Sequence, residues 1–140
     1  MTIPCLSLWQ PWATAIALGI KKNETRSWAT NYRGWLAIHA AKRKMTDEEA
    51  WMTREFPRFA IPVPLGAVVC IVRLVGCLPI ALVKKLGVSE NEQRWGNYDE
   101  GRWAWMTSPS IEIPEPIPLV GHRGLFRWEP PQWIQDRMSL

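Results

Sequence analysis

Hydrophobic positions along this chain come in short runs broken by prolines, glycines and charged clusters, and the period within each run predicts an element. Ile3 to Leu8 is a short apolar segment consistent with a strand. Pro11 suits the first helical position, where its missing N–H costs nothing. Trp12, Ala15, Ile16 and Gly19 then fall at i, i+3, i+4 and i+7, one buried stripe that Gly19 can close in a left-handed cap. Beyond that cap, Glu24 and Arg26 stand two apart and share a face if the chain is extended there. Trp35 to Ala40 reads as a buried strand, and Thr46 with Glu49 forms a capping-box pair that opens a second helix to about Phe56. Pro57, Pro62 and Pro64 end it. Ala67 to Val75, apolar except for Arg73, predicts a central strand covered on both faces.

The second half is less regular. Leu78, Leu82 and Leu86, with Val83 alongside, predict a short third helix closed by Gly87. Residues 87–101 are polar and read as a long surface loop of the kind that often carries function. From Arg102 the pattern returns to strand: Trp103 and Trp105 share a face, and Ile111, Ile113 and Ile117 alternate with polar or proline positions. Pro114, Pro116 and Pro118 remove ladder donors, which predicts an edge strand or a polyproline-like crossing there. Gly124 to Trp128 is a last short strand, and the tail beyond Pro131 docks through Trp133 or frays. Five or six strands with two or three interspersed helices predict a small α+β barrel, a single domain over residues 1–140 with its core in 3–128 and a tail in 129–140.

Composition narrows the function classes. No run of eighteen apolar residues exists to cross a membrane, and Pro4 and Gln10 interrupt the only apolar start that could serve as a signal, so a cytoplasmic address is expected. Cys5, Cys70 and Cys77 leave an odd thiol after any pairing and lack zinc-ligand spacing, so they read as reduced core residues. His39 and His122 stand in no local metal motif; neither a metal nor a cofactor is expected. The formal net charge of +4 favours polyanionic partners. Ten tryptophans are the outlier, and Arg26 with Trp28 and Arg33 with Trp35 have the two-residue spacing that lets a guanidinium stack on an indole in a strand.

Candidate chemistry concentrates in residues 19–26, Gly-Ile-Lys-Lys-Asn-Glu-Thr-Arg. Lys21 and Arg26 suit a phosphate, and Glu24 can accept a base N–H or a reacting proton. Lys21 is a phosphate contact, a catalytic base or nucleophile, or a solvated loop lysine; Glu24 and Arg26 contact ligand or simply pair with each other. Gln10, in the turn into the first helix, is a ligand contact or part of a helix cap. Trp28 stacks a base or roofs the core. His39 is a hydrogen-bonded core histidine or a catalytic one. Lys42 at a strand end is a phosphate candidate, and Tyr98 and Arg102 can reach a cleft from the long loop.

Gly19, Lys21, Glu24 and Arg26 match the pattern G-x-K-x-x-E-x-R, and with it the chain resembles the ASCH domains of the PUA-like superfamily. Leu6-Ser7-Leu8-Trp9-Gln10-Pro11-Trp12, Tyr32-Arg33-Gly34, Ile38-His39-Ala40-Ala41-Lys42, Gly101-Arg102-Trp103-Ala104-Trp105 and Gly124-Leu125-Phe126-Arg127-Trp128 are also similar to short bacterial and phage-type members. The resemblance covers most of residues 3–128 and implies a PUA-like mixed β-barrel with helices packed on it. It also implies a cleft beside the motif that binds RNA, DNA or a nucleotide-like ligand; no oligomeric state follows. One ASCH branch deacylates N4-acetylcytidine with a lysine, a threonine and a distant glutamate, and others are associated with RNA cleavage. A hydrolase of modified nucleosides or a ribonuclease, with Lys21 and Glu24 as its catalytic groups, is therefore the alternative. This chain departs from the amidohydrolase pattern: Glu24 stands where that branch has threonine, and Thr25 lies one place off.

Overall fold

A computed structural model describes residues 1–140, the side chains of Pro109 and Ser110 excepted. Six strands form one mixed sheet: β1 (Ile3–Leu8), β2 (Asn23–Arg26), β3 (Gly34–Ala40), β4 (Ala67–Pro79), β5 (Trp103–Pro118) and β6 (Leu125–Trp128), in the order β2-β5-β4-β3-β1-β6. Only β1 and β3 pair in parallel. The sheet does not close by hydrogen bonds, so the expected barrel is an open one with β2 and β6 as its edges. It nevertheless curls strongly. Residues of β2 and β1, separated by three strands in the sheet, line the same cavity, and Trp28 packs with Leu6 and Leu36 in one core cluster.

Alternation along the strands builds two cores, one on each face. Leu6, Leu8, Leu36, Ile38, Leu74 and Trp105 face inward against Ala13 and Ile16 of helix α1 (Trp12–Ala17). Ile3, Cys5, Ala37, Ile71 and Ile111 face the other way and are covered by Ile134 and Met138 of a C-terminal helix, Gln132–Met138. The tail therefore docks, but through Ile134 and Met138; Trp133 is 41% exposed. Cys5, Cys70 and Cys77 are buried free thiols, and burial pushes the Cys5 thiol up to about 12 and raises that of Cys70 further.

Helix α1 ends in a Schellman motif. Gly19, at φ 73°, donates its N–H to Ile16 O at 3.1 Å, and Ile20 donates to Ala15 O at 2.9 Å. This reversal sends the chain directly into β2. The capping box forms as expected, with Thr46 and Glu49 bonded reciprocally at the start of α2 (Asp47–Met52), which continues as a one-turn 3-10 helix, Thr53–Glu55.

Several expectations are revised. The described residues hold five α-helices rather than two or three. Helix α3 spans Ile80–Leu86 and buries Ile80 and Val83, while Leu82 and Leu86 are 41% and 70% exposed, because β4 continues to Pro79 and shifts the helical face. The segment 87–101 is not a free loop: it carries α4 (Glu90–Arg94), capped by Ser89, followed by Trp95 at 1% exposure; the C-terminal helix is thus α5. The proline-rich stretch is part of β5, and there it does have an open side, since β2 pairs only with Trp103 to Met106. Arg33 does not stack on Trp35; it donates to the carbonyls of Thr30 and Tyr32, and Arg73 from the neighbouring strand lies 3.9 Å over the Trp35 ring. Among the described residues no helix is long and apolar enough to cross a membrane.

Candidate nucleic-acid cleft

The open seam of the sheet is a cleft. Its first lobe, about 730 Å³, lies between β2 and the end of β1, with Lys21, Glu24, Arg26 and Trp28 on one side and Trp9 on the other. Lys21 leaves the Schellman turn and points inward, where it is 1% exposed. Its Nζ donates to Glu24 Oε1 at 3.0 Å, and Glu24 Oε2 accepts from Arg26 at 3.3 Å, so one carboxylate holds two cations. The extended β2 places Glu24 and Arg26 on one face as their spacing predicts. The solvated-lysine alternative for Lys21 fails because the helix cap folds the chain back under the cleft.

Unpaired donors surround this triad. An ammonium has three N–H donors, and among the described residues Lys21 spends only one on the protein. Trp95 Nε1 and Arg102 Nε, both on the same lobe, are buried without any acceptor. Arg102 is anchored by its other nitrogen, which donates to Thr25 O at 2.9 Å. Native proteins rarely leave such groups unmatched, so their convergence on a cleft points to a ligand rich in acceptor oxygens or ring nitrogens.

The remaining candidates divide. Trp28 is half-buried, packs edge-on against Trp105 at 4.6 Å, carries Arg26 at 5.7 Å over its ring, and lines the cleft, so it roofs the core from the cleft side. Lys42 lies on a second lobe. Gln10 lies outside both lobes and is fully buried: its amide bonds Thr14 Oγ1 and Pro64 O, and its Oε1 accepts from Thr14 N, so it caps α1. Helix α1 is only six residues long and its first turn faces no ligand space at Gln10. Tyr98 is 7% exposed in a cluster with Ile80 and Val83, its hydroxyl accepting from Asn23; burial raises its pKa, against the opposing effect of that bond. Neither residue is placed to reach a ligand. Trp95 is a cleft residue that sequence reasoning missed, because its segment shows no apolar period.

The segment 87–101 is a brace. Glu92 accepts from the backbone N–H of Lys22 and Asn23, and Asn91 donates to Ile20 O, so α4 holds the turn that carries Lys21. His39 is a satisfied core histidine at 2% exposure. Its Nε2 lies 2.7 Å from Leu119 O, and a carbonyl can only accept, so Nε2 donates there, while Nδ1 is hydrogen-bonded with Ser7 Oγ at 2.8 Å. Among the described residues no cluster of histidine, cysteine or carboxylate side chains could hold a metal.

The curled open α+β sheet has known counterparts. The chain belongs to the ASCH domain family, whose model matches residues 6–116. It is 36% identical over 85 residues to human Activating signal cointegrator 1 and 35% identical to the mouse protein; the match takes in 53% of this chain and 14% of either relative. Among solved structures it resembles the ASCH protein of Zymomonas mobilis, with TM-score 0.56 and 20% identity over 98% of this chain and 94% of the other. A tyrosine-to-phenylalanine mutant of that protein matches with TM-score 0.57, 19% identity, and coverage of 98% and 96%.

Proposed function

We propose that this domain binds RNA, or a nucleotide-like ligand, in the cleft at the sheet's seam, with the G-x-K-x-x-E-x-R motif as its floor. The observation that carries this reading is the set of buried donors on the first lobe: among the described residues Arg102 Nε and Trp95 Nε1 lack an acceptor, and Lys21 gives only one of its three N–H groups, to Glu24. Phosphate oxygens and base acceptors satisfy such donors, Glu24 reads a base N–H, and Trp28 offers an aromatic face. Membership of the ASCH family and the positive net charge support the same ligand class.

Titration with short single-stranded RNA, and with DNA of the same sequence, tests it. Binding is expected to weaken as salt rises, with a slope of about −0.7 per phosphate neutralised. Removing Lys21 takes one of two cations from the largely buried Glu24 carboxylate, which Arg26 still pairs, and costs up to about 3 kcal/mol, so Lys21→Met is paired with the milder Arg26→Gln. Both variants are expected to lower affinity at least tenfold while Arg26→Gln stays folded by circular dichroism. Absence of binding, or binding indifferent to salt and to both substitutions, refutes the proposal.

One observation favours a hydrolytic second reading: Lys21 and Glu24 form a close, desolvated acid–base pair. Product release from N4-acetylcytidine or RNA that Glu24→Gln abolishes would establish it.

A further inference from the structure

The seam has a second lobe, of about 860 Å³, which shares Ser7, Trp9, Arg26 and Trp28 with the first. Its chemistry differs. Glu24 stands in the first lobe, whereas no carboxylate lines the second, whose charged groups are Arg26, Lys42 and Arg123. Lys42 and Arg123 are exposed and have no ion-pair or hydrogen-bond partner among the described residues. Two unpaired cations, Lys42 and Arg123, together with Arg26, whose partner Glu24 stands in the first lobe, give this concave space a positive potential that prefers phosphate.

The wall carrying Arg123 is held in advance. Leu119 accepts from His39 and donates its N–H to Gly66 O at 3.0 Å, which ties the β5–β6 connection to β3 and to the start of β4. Gly121 then lies so close over the Ser7–His39 pair that a Cβ there would stand 2.6 Å from His39 Cε1 and 3.1 Å from Ser7 Oγ. The backbone of this wall is therefore fixed before a ligand arrives, and binding has only the Lys42 and Arg123 side chains to order. Between the lobes, Trp9 is 55% exposed with Arg43 at 4.0 Å over its ring, and Arg26 reaches both lobes while Glu24 holds it.

Resting on the proposed function, we infer that the ligand is a single-stranded RNA segment of at least two nucleotides rather than a free nucleoside or mononucleotide. One unpaired base enters the Lys21–Glu24 lobe, a flanking base stacks at Trp9 or Trp28, and the following phosphates lie on Arg26, Lys42 and Arg123. A duplex is disfavoured because its bases are paired and stacked and cannot splay into the lobe.

The test compares a random-sequence RNA octamer pool with the four nucleoside monophosphates on the wild type and on Lys42→Gln/Arg123→Gln. Glutamine keeps much of the Lys42 stem, whose Cγ lies 2.9 Å from where a Cβ on Gly66 would stand, so the packing over Gly66 is retained. In the wild type the octamers are expected to bind at least tenfold more tightly than any monophosphate. In the double variant octamer affinity at 0.1 M salt is expected to fall about tenfold and the salt slope to flatten by about 1.4, two contacts at about 0.7 each. Monophosphate affinity is expected to fall by less than octamer affinity, because a single phosphate engages fewer of these cations. Unchanged octamer affinity and slope in the double variant, or monophosphates binding as tightly as octamers, overturn the inference while leaving the cleft a binding site. A wild type that binds neither probe overturns the proposed function as well.

Discussion

At the scale of single residues, neighbours decide what a polar side chain does. Lys21 and Gln10 are both buried polar residues beside α1, yet Gln10 has its amide satisfied within the protein and Lys21 retains free donors. Gln10→Ala is accordingly expected to cost about 2 kcal/mol in denaturant unfolding, from a lost cap and an orphaned Pro64 carbonyl, with RNA affinity unchanged. A loss of affinity without loss of stability would return Gln10 to the site. The motif residues were legible because Glu24 and Arg26 share a strand face by spacing alone. Tyr98 and Gln10 were not, since the same residue types serve a cleft or a core, and only Ile80, Asn23, Thr14 and Pro64, distant in sequence or across a turn, settle which.

Elements with a local signature followed it. The capping box at Thr46 and Glu49, the Gly19 cap of α1 and the strand β3 are each specified by residues within a few positions of one another. Glu49 also accepts a bidentate pair from Arg43, at 2.8 and 3.1 Å. Desolvation raises its pKa, but the bonds from Arg43 and Thr46 outweigh that and hold it below the ordinary carboxylate value. Because the folded value is the lower one, the pair's stabilisation is present above the unfolded value of about 4.3 and disappears as pH falls through the folded value. Glu49→Gln keeps the capping bond and loses the charge, so it is expected to be less stable by up to about 1 kcal/mol at pH 7 and equal to wild type near pH 3 in urea titrations. A pH-independent difference would assign the effect to the cap. Helix α3 shows the converse: three leucines at four-residue spacing looked like its buried face, but the end of β4 at Pro79 sets the helix phase, and Ile80 and Val83 go inside.

In the whole molecule, the sheet must be covered on both faces, and α5 supplies the cover on one. Ile134 is fully buried against that face, so Ile134→Ala is expected to cost about 2 to 5 kcal/mol in chemical unfolding although it lies far along the chain from the cleft. A cost under 1 kcal/mol would mean the tail is not part of the core. The sequence by itself determined the strands, the first two helix starts, the absence of a long apolar span and the charged motif, because period, caps and spacing act over a few residues. The tertiary structure alone decided that the barrel stays open, that the seam left between β2 and β1 is the cleft, and that Lys21 is buried there beside Trp95 and Arg102. Those facts depend on how far a six-stranded sheet curls and on which residues meet across it, and pairings between positions as distant as Thr25 and Arg102 leave no trace in local pattern.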